Sequence, residues 1–302
     1  MFAAELPLSP AASVTVVDRV NETLIGFLAT VAGEVDGREP DAAPLIEEIA
    51  RLVRAGGKRI RPAFCYWGYR AAGGADGEPI VRAASAIELL HTMALVHDDL
   101  IDGTPVRRGV ATVVPHLGDE ARRRGVGGGD PRRYAEAGAL LVGDLAAVLA
   151  DRLFLESGFP SEALARGLAP YHAMRIQMAI GQFLDISGAP PDPVAARRIA
   201  ALKGGSYTVE GPLLVGADLA GASPRLRIRL ERFAAPLGEA FQLRDDLLDR
   251  DGRHGATAQD VHALVDEAVK SLDDDTADDL HLHLEPGAGS ALRAMARLID
   301  VR

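Results

Sequence analysis

The sequence predicts an all-α protein in which residues 1–302 form a single multi-helix bundle. Aromatic residues make up only 5% of the chain, whereas Ala, Leu and Arg, which favour helices over strands, recur throughout. Apolar residues recur at spacings of three and four, as at Val16, Val20 and Leu24. No run that alternates between polar and apolar residues is long enough to indicate a sheet. These observations favour one helical bundle over two separate domains.

The helical stripes follow one another along the chain and are separated by segments rich in glycine, proline and aspartate. The stripes cover residues 16–27, 45–53, 80–100, 135–155, 161–184, 194–219, 225–248 and 257–272. The breaking segments are 36–40, 73–77, 127–131 and 189–193. We therefore expect about eight to ten helices. Pro212 lies inside a stripe and predicts a kink.

Charge and cysteine content exclude several classes of protein. The chain carries 33 Lys and Arg residues against 43 Asp and Glu, a net charge of −10 that disfavours a general nucleic-acid binder. Its single cysteine, Cys65, can form neither an intrachain disulfide nor a thiolate metal cluster. The first ten residues contain Glu5 and no long apolar core, and no apolar run approaches the roughly 20 residues that cross a bilayer. We expect a soluble cytoplasmic protein without a transmembrane segment.

Three segments, residues 98–102, 245–249 and 274–278, have the pattern Asp-Asp-x-x-Asp. On a helix the first and last carboxylates share one face, where a divalent cation relieves their repulsion. Mg²⁺ suits such a site because it binds one or two carboxylates together with water and phosphate oxygens. The first two copies follow apolar helical segments and have Leu or Ile at the variable positions, which favours a site at the mouth of a bundle. The third lies in a run of charges and is predicted to be a solvated surface.

Two basic segments accompany these motifs. In Gly-Gly-Lys-Arg-Ile-Arg-Pro, residues 56–62, the glycines permit close approach of a ligand to the backbone, and Lys58 and Arg61 project near a predicted helix start. Arg107 and Arg108 follow the first acidic motif after a short turn. Cations beside metal-binding carboxylates are the combination that a diphosphate requires.

With these motifs in this order, the sequence resembles the trans-isoprenyl diphosphate synthases of the polyprenyl synthetase family. The matching segments are residues 56–62, 91–102, 107–109, 143–144, 203–216 and 241–249. The resemblance implies a helical bundle of the isoprenoid synthase type with a central substrate cavity, and a homodimer. It also implies a Mg²⁺-dependent prenyltransferase that joins isopentenyl diphosphate to an allylic diphosphate, giving a trans-polyprenyl diphosphate and diphosphate.

The resemblance implies a role for each matching residue. The groups that would bind the diphosphate of isopentenyl diphosphate are Lys58, Arg61, His91 and Arg108. The carboxylates that would ligate Mg²⁺ are Asp98, Asp102, Asp245 and Asp249, with Asp99 and Asp246 in supporting positions. The groups that would contact the allylic diphosphate, or the reacting end of its chain, are Arg107, Lys203 and Gln242. Gly204 stands where the family usually has a hydroxyl residue. Catalysis would consist of charge stabilisation on the departing diphosphate, without a side-chain nucleophile.

The residues one helical turn before the first acidic motif predict the product. Ala94 and Met93 lie where a Phe or Tyr would form a floor for the growing chain in members that stop at farnesyl diphosphate. This sequence also has only two residues between Asp99 and Asp102, without the insertion found in other such members. We expect a longer product, geranylgeranyl diphosphate.

Two alternatives stay open. A class I terpene cyclase would share the fold, but it usually lacks a second motif such as residues 245–249 and has little use for Lys58, Arg61 and His91. A non-catalytic regulatory subunit is the other alternative, because the part after residue 250 is shorter than in the family. In the family, a basic residue in that part normally binds the allylic diphosphate. This sequence has no counterpart of it, and Arg253 is only a weak substitute.

Several residues near these motifs are predicted to be structural. His97 is expected to be a hydrogen-bonded structural histidine, and residues 143–144 are expected to serve helix packing. Tyr207 and Phe183 are expected in the core.

Overall fold

The computed structural model describes residues 13–126, 128–188, 193–248, 257–273 and 284–300. Over these ranges the chain is helical, apart from short connections and one small hairpin. The predicted all-α class is confirmed.

The described residues form twelve α-helices, two more than the upper end of the expected number. Their bounds are α1 Ser13–Asp36, α2 Ala43–Arg54, α3 Ile60–Ala71, α4 Glu78–Asp102, α5 Val113–Arg124, α6 Pro131–Leu155, α7 Ser161–Ile186, α8 Pro193–Ala200, α9 Gly211–Leu219, α10 Pro224–Leu248, α11 Ala258–Asp273 and α12 Pro286–Ile299. A 3₁₀ turn, Pro40–Ala42, precedes α2, and a π-helix, Ala201–Glu210, joins α8 to α9. The excess arises partly because the stripe over residues 194–219 is divided into α8, the π-helix and α9. Pro212 closely follows the π-helix, which continues into α9 through Glu210 and Gly211 in helical conformation, so the hydrogen-bonding pattern changes where the sequence predicts a kink.

The chain forms two compact units. The N-terminal unit comprises Val17–Arg59 and Val81–Ser157, and the C-terminal unit comprises Met1–Val16, Ile60–Ile80 and Gly158–Arg302. The prediction of one domain over residues 1–302 stays a prediction.

In the N-terminal unit, α6 packs against α2 and α5. Among the described helices only α4 is long and apolar enough to cross a membrane, and 78% of its apolar window is buried inside the protein. Ala83, Ile87 and Leu90 on α4 are fully buried, as expected for the central helix of a core. The stripe of α1 that includes Val20 and Leu24 is buried as well.

A two-stranded hairpin follows α4, where the sequence predicts only a turn. Its antiparallel strands are β1, Val106–Arg107, and β2, Val110–Ala111. Arg108 and Gly109 form the tip, with φ of 52° and 78°. The sequence contains no sign of this hairpin, because two-residue strands are too short to produce a visible alternation.

In the C-terminal unit, α3 packs against α9, while α7 and α10 both pack against the π-helix. The α3–α9 contact depends on glycines, since a Cβ at Gly68 would overlap the Leu213 carbonyl and one at Gly216 would overlap the Cys65 carbonyl. Cys65 is fully buried there, and burial raises the pKa of its thiol.

The structural predictions for His97, Gly143 and Tyr207 are confirmed, whereas the side chain of Asp144, predicted to serve helix packing with Gly143, is 63% exposed. His97 Nε2 lies 3.3 Å from the Leu140 carbonyl, and a Cβ at Gly143 would overlap the His97 ring. Tyr207 is buried. Phe183, predicted to lie in the core, is 66% exposed, so that prediction is wrong.

Candidate active site

The first acidic motif occupies the last turn of α4, and its three carboxylates differ in exposure. Asp99 is only 7% exposed, Asp98 is partly buried and Asp102 is exposed. Arg107 on β1 reaches back to two of them. Its Nη2 donates to Asp98 Oδ2 at 3.0 Å and its Nε donates to Asp99 Oδ1 at 2.7 Å. The structure thus brings Asp98, Asp99 and Arg107 together as the sequence predicts.

Burial distinguishes Asp99 from the carboxylates on either side of it in the motif. Desolvation raises the pKa of Asp99, the hydrogen bond from Arg107 opposes that shift, and the like charges of Asp98 and Asp102 add to it. A carboxylate in this position serves better to hold Arg107 than to meet a ligand from solvent. Asp98 and Asp102, four residues apart on the same helix face, have the accessibility that a metal ligand needs.

The oxygen donors of this motif fit Mg²⁺. Among the described residues no three His, Cys, Asp or Glu side chains converge to form a preformed metal site. Mg²⁺ does not require one, because it is usually bound by one or two carboxylates and completes its shell with water and substrate phosphate oxygens. Asp98 and Asp102 could provide those carboxylates.

A pocket in the N-terminal unit adjoins the acidic motif. It lies among the end of α2, the second half of α4 and the hairpin. Its polar lining residues are Arg59, Glu88, Thr92, Asp99, Arg107, Arg108 and Thr112. Lys58 is exposed, and His91 is buried on α4 one turn beyond Glu88. Of the predicted diphosphate groups, Arg107 and Arg108 therefore line one pocket together with Asp99.

The hairpin is anchored by side chains that the sequence analysis missed. Arg51 on α2 donates from Nη1 to the Ala111 carbonyl of β2 at 2.9 Å. Buried Glu48 accepts from Arg51 Nη2 at 2.6 Å, and its Oε1 lies 2.7 Å from His116 Nδ1. The available indication was a charged residue, Glu48, within the apolar stripe of α2. This anchoring fixes the strand that pairs with the one carrying Arg107.

In the C-terminal unit, α7 positions Lys203 on the π-helix. Lys203 Nζ lies 2.7 Å from Asp185 Oδ2. One turn earlier on α7, a Cβ at Gly181 would lie 2.5 Å from the Lys203 nitrogen, so only glycine permits this approach. Gly181 and Asp185 thus hold the backbone and the ammonium group of one residue. Asp185 was not identified from the sequence.

Residues 245–248 of the second acidic motif lie at the end of α10, which also packs against the π-helix. Gly238 on α10 faces Gly205 on the π-helix, and a Cβ on either residue would lie 3.0–3.1 Å from the backbone of the other. A Cβ at Gly204 would overlap Gln242 Oε1, so the residue that departs from the family pattern leaves room for the Gln242 amide. Asp245 lies seven positions after Gly238, on the same face of α10.

The structure describes only some of the other predicted residues in this part of the chain. Asp246 lies in the last turn of α10. Asp249, Arg253 and residues 274–278 lie outside the described residues.

Arg61, at the start of α3, is held by two residues of the π-helix. Its guanidinium carbon lies 4.7 Å from the centre of the Tyr207 ring, and its Nη2 donates to Thr208 Oγ1 at 2.7 Å. Tyr207 is therefore both a core residue, as predicted, and a platform for a predicted substrate-binding cation. The role of Thr208 was not visible in the sequence.

Comparisons with known proteins identify the family of this chain. A sequence model described as polyprenyl synthetase matches residues 43–263. The farnesyl diphosphate synthase of Geobacillus stearothermophilus is 32% identical over 222 residues, 70% of this chain and 67% of that protein. The geranylfarnesyl diphosphate synthase of Aeropyrum pernix is 29% identical over 228 residues, 73% of this chain and 66% of that protein.

Solved structures match the chain over nearly its whole length. The geranylgeranyl pyrophosphate synthase of Corynebacterium glutamicum, complexed with isoprenyl diphosphate and magnesium, superposes with a TM-score of 0.80 at 26% identity. The match covers 95% of this chain and 99% of that one. By sequence, the matched part of the chain spans 58–68% of the lengths of eight curated relatives. The family match covers well over half of the chain, and the protein belongs to the polyprenyl synthetase family.

Proposed function

We propose that the protein is a cytoplasmic, Mg²⁺-dependent prenyltransferase that joins isopentenyl diphosphate to an allylic diphosphate and releases diphosphate. The proposed product is geranylgeranyl diphosphate. The observation that carries the proposal is the cluster at the end of α4, where Arg107 bridges Asp98 and Asp99 and lines a pocket with Arg108. Carboxylates and guanidinium groups side by side suit a metal-bound diphosphate.

Asp98, Asp102 and Asp245, with Asp249 as a further ligand, would hold Mg²⁺, whose chemistry when bound is neutralisation of the negative charge on the leaving diphosphate. Arg107 and Lys203 add fixed positive charge where the leaving group develops negative charge, with Gln242 beside Lys203 on the neighbouring helix. Asp99 and Asp246 support the metal carboxylates.

The second substrate needs a separate anion site. Lys58, Arg61, His91 and Arg108 bind the diphosphate of isopentenyl diphosphate, whose double bond attacks the allylic cation. The new bond moves the positive charge onto the isopentenyl unit, which loses a proton to the released diphosphate. Arg61 is suited to this role because Tyr207 and Thr208 fix its guanidinium group.

Metal removal tests this proposal. Dialysis against a chelator should abolish incorporation of isopentenyl diphosphate into longer products, and added Mg²⁺ should restore it, because the carboxylates repel the substrate without the cation. Turnover that survives complete chelation would contradict the proposal.

Position 94 is expected to control product length. Ala94 and Met93 are partly exposed side chains on α4, one turn before Asp98. Ala94→Phe should shorten the main product, since a ring there blocks the path of the growing chain away from the metals. Ala94→Ser, which keeps the size of the residue, should leave the product unchanged. The measurement is mass spectrometry of the products, and an unchanged distribution in the Phe variant would show that the chain does not pass this position.

The protein is also proposed to be a homodimer. On α6, Tyr134, Leu141, Val148 and Leu155 recur every seven residues and are all exposed. A stripe of this kind suits a helix that packs against a second copy across a two-fold axis. Sedimentation should show a dimer at micromolar concentration, and Leu141→Glu should shift it towards monomer. A wild-type monomer under these conditions would refute the dimer.

A further inference from the structure

We propose that Arg59 and Glu88 form a buried positioning pair that sets the affinity for isopentenyl diphosphate without contacting it. The inference rests on the proposed function, and it concerns two residues to which the matching motifs assign no role. Arg59 follows Lys58 in the Gly-Gly-Lys-Arg segment, and Glu88 lies one turn before His91 on α4.

Arg59 connects three helices of the N-terminal unit. Its Nη1 donates to Glu88 Oε1 of α4 at 2.5 Å, its Nη2 to the Val53 carbonyl of α2 at 2.7 Å, and its Nε to Asn21 Oδ1 of α1 at 2.8 Å. The residue is only 4% exposed. One guanidinium group therefore fixes the segment that follows α2 to both α1 and α4.

The conformation of Arg59 and the burial of its ion pair both cost free energy, so a contribution to stability does not account for them. Arg59 has φ of 50°, in the left-handed region that residues with a Cβ rarely adopt. A buried ion pair also loses hydration, and well-packed apolar residues in its place commonly give equal or greater stability. Strained backbone held by a buried pair points to a requirement for one particular geometry.

The geometry in question is that of the neighbouring cations. Because the Arg59 side chain turns inward, the preceding Lys58 stays exposed. Gly57 separates two guanidinium groups, since a Cβ there would lie 2.7 Å from Arg108 Nη1 and 3.4 Å from Arg59 Nη1. Arg108 Nη1 in turn donates to the Gly56 carbonyl. The segment is thus held on one side by Arg59 and contacted on the other by Arg108.

Glu88 makes this approach of two cations possible. Its carboxylate neutralises the positive charge of Arg59. The guanidinium group of Arg108, on the other side of Gly57, is therefore repelled less strongly by that of Arg59. The backbone carbonyl of Glu88 also accepts a hydrogen bond from Thr92 Oγ1 at 3.0 Å, and Thr92 lines the same pocket. The pair therefore orients Lys58 and Arg108, both assigned to the isopentenyl diphosphate site.

The test compares Arg59→Lys and Glu88→Gln with Arg152→Lys. Arg152 forms an ion pair with Glu34 at 2.7 Å in the same unit, but it does not line the pocket. Arg59→Lys keeps the positive charge but loses the hydrogen-bonding geometry of the guanidinium group. Glu88→Gln keeps the size of the side chain but removes the negative charge that compensates Arg59.

Arg59→Lys and Glu88→Gln should each raise KM for isopentenyl diphosphate at least about tenfold, with kcat and KM for the allylic substrate within about threefold of wild type. Calorimetric binding of isopentenyl diphosphate alone, without metal or allylic substrate, should weaken by the same factor. Arg152→Lys should change none of these quantities. If Arg59→Lys does not fold, Glu88→Gln carries the test, because it alters a single atom.

If the pair only stabilises the fold, the variants should show a lower kcat per mole of protein or a lower unfolding temperature, with an unchanged KM for isopentenyl diphosphate. That result would overturn the inference. Unchanged kinetics in folded variants of an active enzyme would overturn it as well, leaving the proposed function intact. A wild-type chain that neither binds nor elongates isopentenyl diphosphate would instead overturn the proposed function.

Discussion

Asp98→Ala and Asp245→Ala are each expected to lower kcat by at least about a hundredfold, because a lost metal ligand removes several kcal/mol of charge stabilisation from the transition state. The fold should survive both changes. In Asp98→Ala, Arg107 keeps its hydrogen bond to buried Asp99, and the repulsion between the clustered carboxylates decreases. Steady-state kinetics and the unfolding temperature measure the two effects separately.

The third copy of the acidic pattern provides a matched control. Asp274→Ala changes the first aspartate of the same Asp-Asp-x-x-Asp pattern in a segment predicted to be a solvated charge run. Its kcat should equal that of the wild type. A near-wild-type kcat in either Asp98→Ala or Asp245→Ala would show that the metal ligands have been assigned wrongly.

Lys203→Ala is expected to lower kcat/KM for the allylic substrate about a hundredfold, since it removes a positively charged group that stabilises the departing diphosphate. Asp185→Asn should cause a smaller loss, about tenfold, because it keeps the ammonium group but weakens the contact at 2.7 Å that orients it. Kinetics with the allylic diphosphate varied at saturating isopentenyl diphosphate provide the measurement.

Lys270→Ala, at an exposed position on α11, is the control for the loss of one positive charge. It should leave kcat/KM unchanged. If Lys203→Ala behaves like Lys270→Ala, the proposed role of Lys203 in leaving-group stabilisation is wrong.

The sequence predicts those parts of this protein that depend on local periodicity and on short motifs. The spacing of apolar residues predicts the helices, and the buried stripe of Val20 and Leu24 confirms the periodicity for α1. The clustering of Asp98, Asp99 and Arg107 is also predictable, since these residues lie within ten positions of one another and a turn brings them back together.

Features that depend on contacts distant in sequence are not predictable in this way. Phe183 is an apolar residue in a helical stripe, and the periodicity of the stripe predicts which face of the helix it occupies. The periodicity does not show whether another element covers that face, and here the face is exposed. Gly204 stands where the family usually has a hydroxyl residue, but it leaves room for Gln242, which lies 38 positions later on another helix.

Buried charged residues leave little local signal in the sequence. Arg59 stands in a basic segment in which every cation is a candidate ligand, and nothing local distinguishes it from Lys58 or Arg61. Only its contacts with Glu88, Asn21 and Val53, up to 38 positions away, show that it faces inward. The single charged residue in a long apolar run, Glu88, was the one indication that a buried partner was needed.

The most direct test of the proposed prenyltransferase activity is incubation of the purified chain with Mg²⁺, isopentenyl diphosphate and, in separate reactions, each of the short allylic diphosphates, followed by mass spectrometry of the products. We expect elongation of at least one allylic substrate, with geranylgeranyl diphosphate as the main product. If the folded protein in the presence of Mg²⁺ elongates none of them, the proposed activity is contradicted and a non-catalytic subunit is favoured.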